Sequence, residues 1–167
     1  MKGFPIVFAF IIYITSQSLA SPAVKNNVRV FRSNSYMTHY YTIDPSQMET
    51  WITSMQGQSQ GDTALVFGTL QPLTTPVFAV HNSDADFIYT TSSDEVNTLV
   101  AEGWVDLGIY WYAFTAQVCD SVPLYVVDNP TMTDHLYATN STERDVAISS
   151  QGYVDEGIAM YVLPLSD

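Results

Sequence analysis

Asp134 and His135 are the adjacent residues whose side chains are best suited to acid–base chemistry. A carboxylate near an imidazole can orient the ring or raise its pKa, as a general base requires. Side chains of adjacent strand residues point to opposite faces, however, which weakens a pairing within the dipeptide. The matching positions elsewhere in the chain read Thr38-His39 and Asp86-Phe87. Because Phe replaces His in one of them, we favour a structural role for the pair over catalysis.

Other catalytic and metal-binding patterns are weak. No Ser lies in a Gly-x-Ser-x-Gly elbow, and nothing in the sequence places Cys119, the single cysteine, beside a His. The three His lack the spacing of a zinc-binding helix, and no twelve-residue calcium loop is present. A hydrolase would have to use surface carboxylates, such as Asp155 with Glu156 or Asp134 with Glu143. We expect no enzymatic activity, no cofactor and no metal.

Aromatic side chains are stronger candidates for binding, since the chain has 11 Tyr and 3 Trp. Sugar C–H faces stack on such rings, and exposed aromatics also occur at protein interfaces. Two rings directly follow predicted helices and stand two residues before an Asp, although both could instead belong to the core. The hypothesis is a ligand-binding set of Trp104, Asp106, Tyr153, Asp155, Asp134 and His135.

These candidates lie in a repeated pattern. Tyr41, Tyr89 and Tyr137 stand 48 positions apart. Residues 103–109 read GWVDLGI and residues 152–158 read GYVDEGI, whereas the first copy has no clear counterpart. A fixed period of this size indicates a repeat architecture.

Each copy predicts a strand, a second short strand carrying the tyrosine, a short helix and a closing strand. The closing strands are expected at 64–67, 109–114 and 158–163. The helices have capping-box N-caps at Asp44, Ser92 and Asn140, and the second and third end at Gly103 and Gly152. The predicted fold is mainly β (α+β), a compact pseudo-threefold domain with β-trefoil-like or propeller-like closure. Its repeats cover about 28–70, 75–114 and 122–163.

The N-terminal segment indicates secretion. Lys2, an apolar run from Phe4 to Ile14 and small residues up to Ala20 have the pattern of a signal peptide. The run is too short for a membrane span, which needs about 20 residues. We therefore predict a signal peptide at 1–20 and a secreted domain at 21–167, located outside the cell or in the cell wall. Asn140-Ser141-Thr142 is an N-glycosylation sequon, with Asn140 as acceptor.

The charge is strongly acidic: 17 Asp and Glu against 5 Lys and Arg, a formal net charge of −12. Nucleic acid and anionic membranes are excluded as partners, because both are bound through Lys and Arg. Repulsion among carboxylates predicts higher stability at mildly acidic pH. Cys119 either stays a buried thiol or pairs with another chain.

The segments DHLYATNSTER at 134–144 and GYVDEGIA at 152–159 resemble an uncharacterised secreted repeat domain. That domain occurs in fungal and bacterial extracellular proteins, sometimes appended to cell-wall or polysaccharide hydrolases. The resemblance covers nearly the whole mature chain, except that the first copy lacks an Asp before His39. It implies attachment to carbohydrate or cell wall. We expect a non-catalytic protein that binds a polysaccharide or cell-wall glycan. The alternatives are an extracellular interaction protein or inhibitor that binds another protein and, third, a glycoside hydrolase.

Overall fold

The computed structural model describes residues 24–34, 37–118 and 120–165. The predicted signal peptide and Cys119 lie outside these residues. In chain order the described elements are β1 (Lys25–Arg32), β2 (His39–Thr42), α1 (Pro45–Ser54), β3 (Gln58–Phe67), β4 (Thr74–His81), β5 (Phe87–Thr90), α2 (Ser93–Ala101), β6 (Val105–Phe114), β7 (Val122–Asn129), β8 (Asp134–Ala138), α3 (Ser141–Ser150) and β9 (Val154–Val162). We call β1 to β3 the first unit, β4 to β6 the second and β7 to β9 the third.

The strands form one antiparallel sheet, which confirms a mainly β fold. The strand order is β2-β1-β3-β6-β9-β7-β8, and β4 pairs with β5 and β6. Within each unit the first strand pairs with both of the others. Between units the pairing is narrow: Phe67 faces Tyr112, Phe114 faces Tyr161, and Leu65 and Leu163 exchange backbone hydrogen bonds of 2.9 and 3.0 Å.

The core is centred on the tyrosine cluster, which we define as Tyr41, Tyr89 and Tyr137. Their rings meet edge to face, with centroids 5.4 to 5.5 Å apart. Each hydroxyl accepts the backbone N–H of a tyrosine in another unit, at 2.8 to 2.9 Å. Burial raises the pKa of all three phenols. Neutral hydroxyls thus satisfy backbone groups of the short strands, which would otherwise be buried without a partner.

Each closing strand is bent by a β-bulge. Gly61, Gly108 and Gly157 adopt φ of 92°, 80° and 91°, a conformation that favours glycine, and the strand register shifts beside them. Pairing resumes beyond each bulge, so these strands begin at Gln58, Val105 and Val154. The predicted starts at residues 64, 109 and 158 were therefore wrong, because the glycines bend the strands and do not end them.

The helix boundaries follow local signals, and the predicted N-caps are confirmed. The capping boxes are not: the N–H groups of Asp44 and Ser92 donate to Thr42 and Thr90, whose hydroxyls contact Gln47 and Glu95. Side chains of Asp44, Ser92 and Asn140 cap the three helices by accepting backbone N–H groups at 2.8 to 3.2 Å. Gly103 and Gly152 follow the second and third helices with φ of 98° and 82°. Among the described residues, no helix is long and apolar enough to cross a membrane.

Candidate functional site

Two buried Asp–His pairs join the units, and both involve the start of β8. Asp134 accepts the backbone N–H of His39 at 2.6 Å and contacts its Nδ1 at 2.7 Å. Asp86 makes the same two contacts with His135, at 3.0 and 2.8 Å. The adjacent Asp134 and His135 thus bind partners in different units and not each other, in agreement with the structural role favoured from the sequence.

The third matching position is apolar. Thr38 and Phe87 stand where the other units have Asp and His, and both contact Tyr40. The Thr38 hydroxyl donates to the Tyr40 hydroxyl at 3.0 Å, and the Phe87 ring packs edge-on against the Tyr40 ring at 4.8 Å. This junction is held by aromatic packing in place of an ion pair.

The His39–Asp134 pair is extended by Tyr153, whose hydroxyl donates to Oδ2 of Asp134. Burial disfavours the charged carboxylate, but the hydrogen bonds from His39 and Tyr153 outweigh it, so the pKa of Asp134 is lowered. The anionic carboxylate then holds a proton on Nδ1 of His39. Nε2 of His39 has no hydrogen-bond partner among the described residues.

His39 lines a large cleft, which we call the first cleft. Its volume is about 1070 Å³. The polar residues around it that concern the argument below are Arg32, His39, Gln60, Asn140, Glu143 and Gln151. Arg32 is the cross-strand partner of His39. Its guanidinium contacts the Met37 sulfur at 3.9 Å and has no carboxylate within ion-pair distance among the described residues.

His135 lines a smaller space of about 600 Å³, the second cleft. Its Nε2 lies 3.6 Å from Glu156 and 3.9 Å from Asp128, so protein carboxylates surround the ring. Burial lowers the pKa of His135, but the hydrogen bond and charge of Asp86 outweigh that effect, and with the other two carboxylates they raise it. Burial in turn raises the pKa values of Asp128 and Glu156, despite the nearby imidazole.

The predicted ligand-binding set is not brought together. Tyr153 is only 5% exposed, so the expectation of an exposed stacking ring there is wrong: its hydroxyl is used by Asp134 and the ring packs in the core. Trp104 is half-buried and lines none of the described clefts. Asp134 is fully buried behind the first cleft, and His135 lies at the second.

Asp106 and Asp155 are exposed, but each has a structural task. Their Oδ1 atoms accept the N–H of Gly108 and Gly157 at 2.7 and 3.1 Å and so hold the bulges. The first unit uses Ser59 for the same contact with Gly61, at 3.2 Å. The segment that seemed to be missing from the first copy is therefore present in structure.

Asn140 is exposed at the N-terminus of α3. Its Oδ1 accepts the Thr142 N–H at 2.8 Å, while Nδ2, the atom that carries an N-linked glycan, has no partner among the described residues. Capping and glycosylation are therefore compatible, as expected from the sequence. Glycosylation itself stays a prediction.

Sequence reasoning missed Arg32, His39, Gln60 and Gln151 as members of one site. Two signals in the sequence could have identified them. Cationic residues are scarce in this chain, so each Arg is a candidate for a functional role. His39 also occupies the position that matches His135. Of the carboxylate pairs considered for a hydrolase, Asp134 is inaccessible and accepts three hydrogen bonds. Within the described ranges, no group of three or more His, Cys, Asp or Glu is arranged to hold a metal ion.

The chain is thus a mainly β domain in which buried Asp–His pairs join units and one pair borders a large cleft lined by both polar and apolar side chains. It belongs to the family described as a domain of unknown function (DUF5648), whose model matches residues 26–163. Comparison with curated proteins gave no match, and comparison with solved structures gave none either.

Proposed function

We propose that this is a secreted, non-catalytic binding protein that takes carbohydrate, as a polysaccharide or cell-wall glycan, into the first cleft. The observation that carries the proposal is the cleft's size and lining. Its volume of about 1070 Å³ is large enough for several sugar rings. Its amide, guanidinium, imidazole and carboxylate groups can both donate to and accept from hydroxyls. Met132, Leu136 and Val146 offer apolar surface to C–H faces.

The proposed site differs from the helix exits considered first. Stacking on Tyr153 would require an exposed ring, and its hydroxyl is held by Asp134. Asp106 and Asp155 use an oxygen each within the bulges. The residues of the first cleft, by contrast, include the long, exposed side chains of Gln60 and Gln151.

Binding is favoured over glycoside hydrolysis by the carboxylates. A hydrolase of this type places two carboxyl groups on either side of the scissile bond, about 5 to 10 Å apart. Glu143 is the single Asp or Glu among the described residues that line the first cleft. Asp134 lies behind His39, and its lowered pKa makes it a poor proton donor.

We also infer that the three units are related by a pseudo-threefold axis through the tyrosine cluster. The hydrogen bonds of the cluster run from each unit to the next, and the bonds between Leu65 and Leu163 join the first unit to the end of the third. A crystal structure in which the three units do not superpose by rotations near 120° would contradict this arrangement.

The first test is retention of the protein beginning at Ser21 on insoluble chitin, β-glucan, cellulose and peptidoglycan. The cleft variant is Gln60→Ala with Gln151→Ala. Its matched control is Gln58→Ala with Asn97→Ala, which removes two exposed amides outside the described clefts. We expect one polysaccharide to retain the wild type and the control but not the cleft variant. Equal retention of both variants would place binding elsewhere.

A protein partner is the second candidate, because apolar side chains are exposed on two closing strands. Val105 and Ile109 of β6 are 50% and 51% exposed, and Val154 and Ile158 of β9 are 57% and 47% exposed. Exposed apolar surface of this kind can mark a protein interface. The absence of retention on all four polysaccharides, together with no binding of soluble acidic oligosaccharides, would favour this candidate. Secretion is tested separately by sequencing the N-terminus of the exported protein, which we expect to be Ser21.

A further inference from the structure

We propose that Arg32 and His39 form a carboxylate-binding subsite in the first cleft, so that the carbohydrate bound there is an acidic one, such as a uronic acid. This inference rests on the proposed function and narrows its ligand class. The two residues are cross-strand partners on β1 and β2, and both line the cleft. Together they present a planar guanidinium and one ring nitrogen to the same space.

The surroundings of Arg32 are unusual for so acidic a chain. Arg29 donates to the carbonyl of Ile43 at 3.1 Å, and Arg144 binds Asp145 at 2.7 Å and covers the Tyr125 ring. Arg32 has neither an oxygen acceptor nor a carboxylate among the described residues. Guanidinium binds carboxylate through two parallel hydrogen bonds, and a ligand can supply the acceptor that the protein does not.

Around His135 the protein itself supplies carboxylates, at positions that match those of Arg32 and Gln60 around His39. His135 pairs across its hairpin with Asp128, as His39 pairs with Arg32. Glu156 immediately precedes the bulge glycine of β9, as Gln60 precedes that of β3. At His135 these two carboxylates lie 3.9 and 3.6 Å from Nε2 of the imidazole, and Glu156 also lines the second cleft.

In the first cleft, Arg32 and Gln60 replace both carboxylates, and Nε2 of His39 stays without a partner among the described residues. A carboxylate from a ligand would restore the missing charge. It would accept hydrogen bonds from the guanidinium and, when His39 carries a proton on both ring nitrogens, one from Nε2, while Asp134 continues to hold the Nδ1 proton. Glu143, in the same cleft, disfavours a second acidic group nearby, so the subsite suits one carboxylate among neutral hydroxyls.

The test compares acid and methyl ester of the same oligosaccharide, which differ in charge but hardly in shape. Oligosaccharides that carry one galacturonic, glucuronic or mannuronic acid residue among neutral sugars, and the methyl ester of each, are titrated by calorimetry into the wild type and Arg32→Gln. The matched control is Arg144→Gln, which changes the net charge equally but lies outside the first cleft. Arg32→Lys keeps the charge and removes the planar fork.

We expect at least one acid to bind the wild type and Arg144→Gln about tenfold or more tightly than its ester. Arg32→Gln should lose this preference while still binding the ester, and Arg32→Lys should recover part of it. Equal affinity for acid and ester in the wild type across all three sugars would overturn the subsite but leave neutral carbohydrate binding intact. Loss of preference in Arg144→Gln as well would also overturn it, since net charge would then explain the effect.

Discussion

The two Asp–His pairs have nearly the same geometry, but their surroundings give them different uses. The His39–Asp134 pair is backed by Tyr153 and leaves one imidazole nitrogen facing the first cleft. The His135–Asp86 pair places the same nitrogen against Asp128 and Glu156. Joining the units requires only the Asp and the Nδ1 side of the ring. The side chains next to Nε2 therefore decide whether such a pair can also bind a ligand.

Removing each carboxylate should give the largest difference between the pairs. Asp134→Ala leaves three buried donors without an acceptor, so we expect a loss of about 3 to 5 kcal/mol in the free energy of unfolding. Asp86→Ala also removes the acceptor of three donors, the N–H groups of Phe87 and His135 and Nδ1 of His135. It should still cost about half as much, because Asp128 and Glu156 stabilise the imidazolium form of His135. Urea denaturation measures both. An equal or larger loss in Asp86→Ala would show that the outer carboxylates contribute little.

A third Asp–His pair can be introduced at the junction where Thr38 and Phe87 stand. Thr38→Asp buries an unpaired carboxylate beside Tyr40 and should cost about 3 kcal/mol. Adding Phe87→His supplies the missing partner and should recover at least about 1 kcal/mol relative to the sum of the single changes. A double-mutant cycle in urea gives the coupling. Zero coupling would mean that geometry at this junction does not match the other two.

The two Asp–His pairs also differ in one hydrogen bond, which the Tyr153 hydroxyl donates to Asp134. Tyr153→Phe removes one of three donors to Asp134 and should reduce the free energy of unfolding by about 1 kcal/mol. The residue that follows the second helix in the same way is Trp104, which makes no hydrogen bond to Asp86 among those found, so Trp104→Phe serves as the control. Near-equal stability of Tyr153→Phe and wild type would show that His39 alone satisfies the carboxylate.

The smallest expected effect is the pH dependence of stability. The pKa of His135 is raised, so its stabilising charge is fully present below the unfolded value of 6.5 and is lost as pH rises through the folded value. The raised pKa values of Asp128 and Glu156 act in the same direction. The lowered pKa of Asp134 has the opposite consequence: its contribution is present above the unfolded value of 3.8 and is lost as pH falls through the folded value.

Melting temperature should therefore rise as pH is lowered from 8 toward 6.5 and fall again in strong acid. His135→Gln should flatten the neutral limb, whereas His81→Gln, a control without a carboxylate partner among the described contacts, should retain it. A melting temperature that decreases steadily from pH 7 to pH 5 would contradict the expected sign.

Local features were predictable and distant pairings were not. The caps at Asp44, Ser92 and Asn140 and the glycines after two helices depend on neighbours a few residues away, so their sequence signals suffice. The partner of Asp134 stands 95 residues away, and no spacing rule points to it. Tyr153 donates to the same carboxylate from 19 residues away, and its burial likewise depends on a contact that neighbouring residues do not indicate.

The roles of the bulge residues were misassigned from the sequence, because the same residue types occur in binding sites and in turns. Asp106 and Asp155 looked like ligand-binding carboxylates beside aromatic rings, although a side-chain oxygen two residues before a glycine is also a turn signal. Ser59 performs the same role with a different side chain, so the first unit seemed incomplete in sequence while its backbone follows the others.

The hydrogen bonds of the tyrosine cluster join residues 48 and 96 positions apart. A nascent chain that has produced only two units contains Tyr41 but lacks Tyr137, whose backbone N–H donates to the Tyr41 hydroxyl. Such high contact order slows folding and defers the central bonds until translation of the third unit. The domain should therefore fold all at once after synthesis, and a stop codon within α3 should yield a chain that is degraded rather than a smaller stable protein.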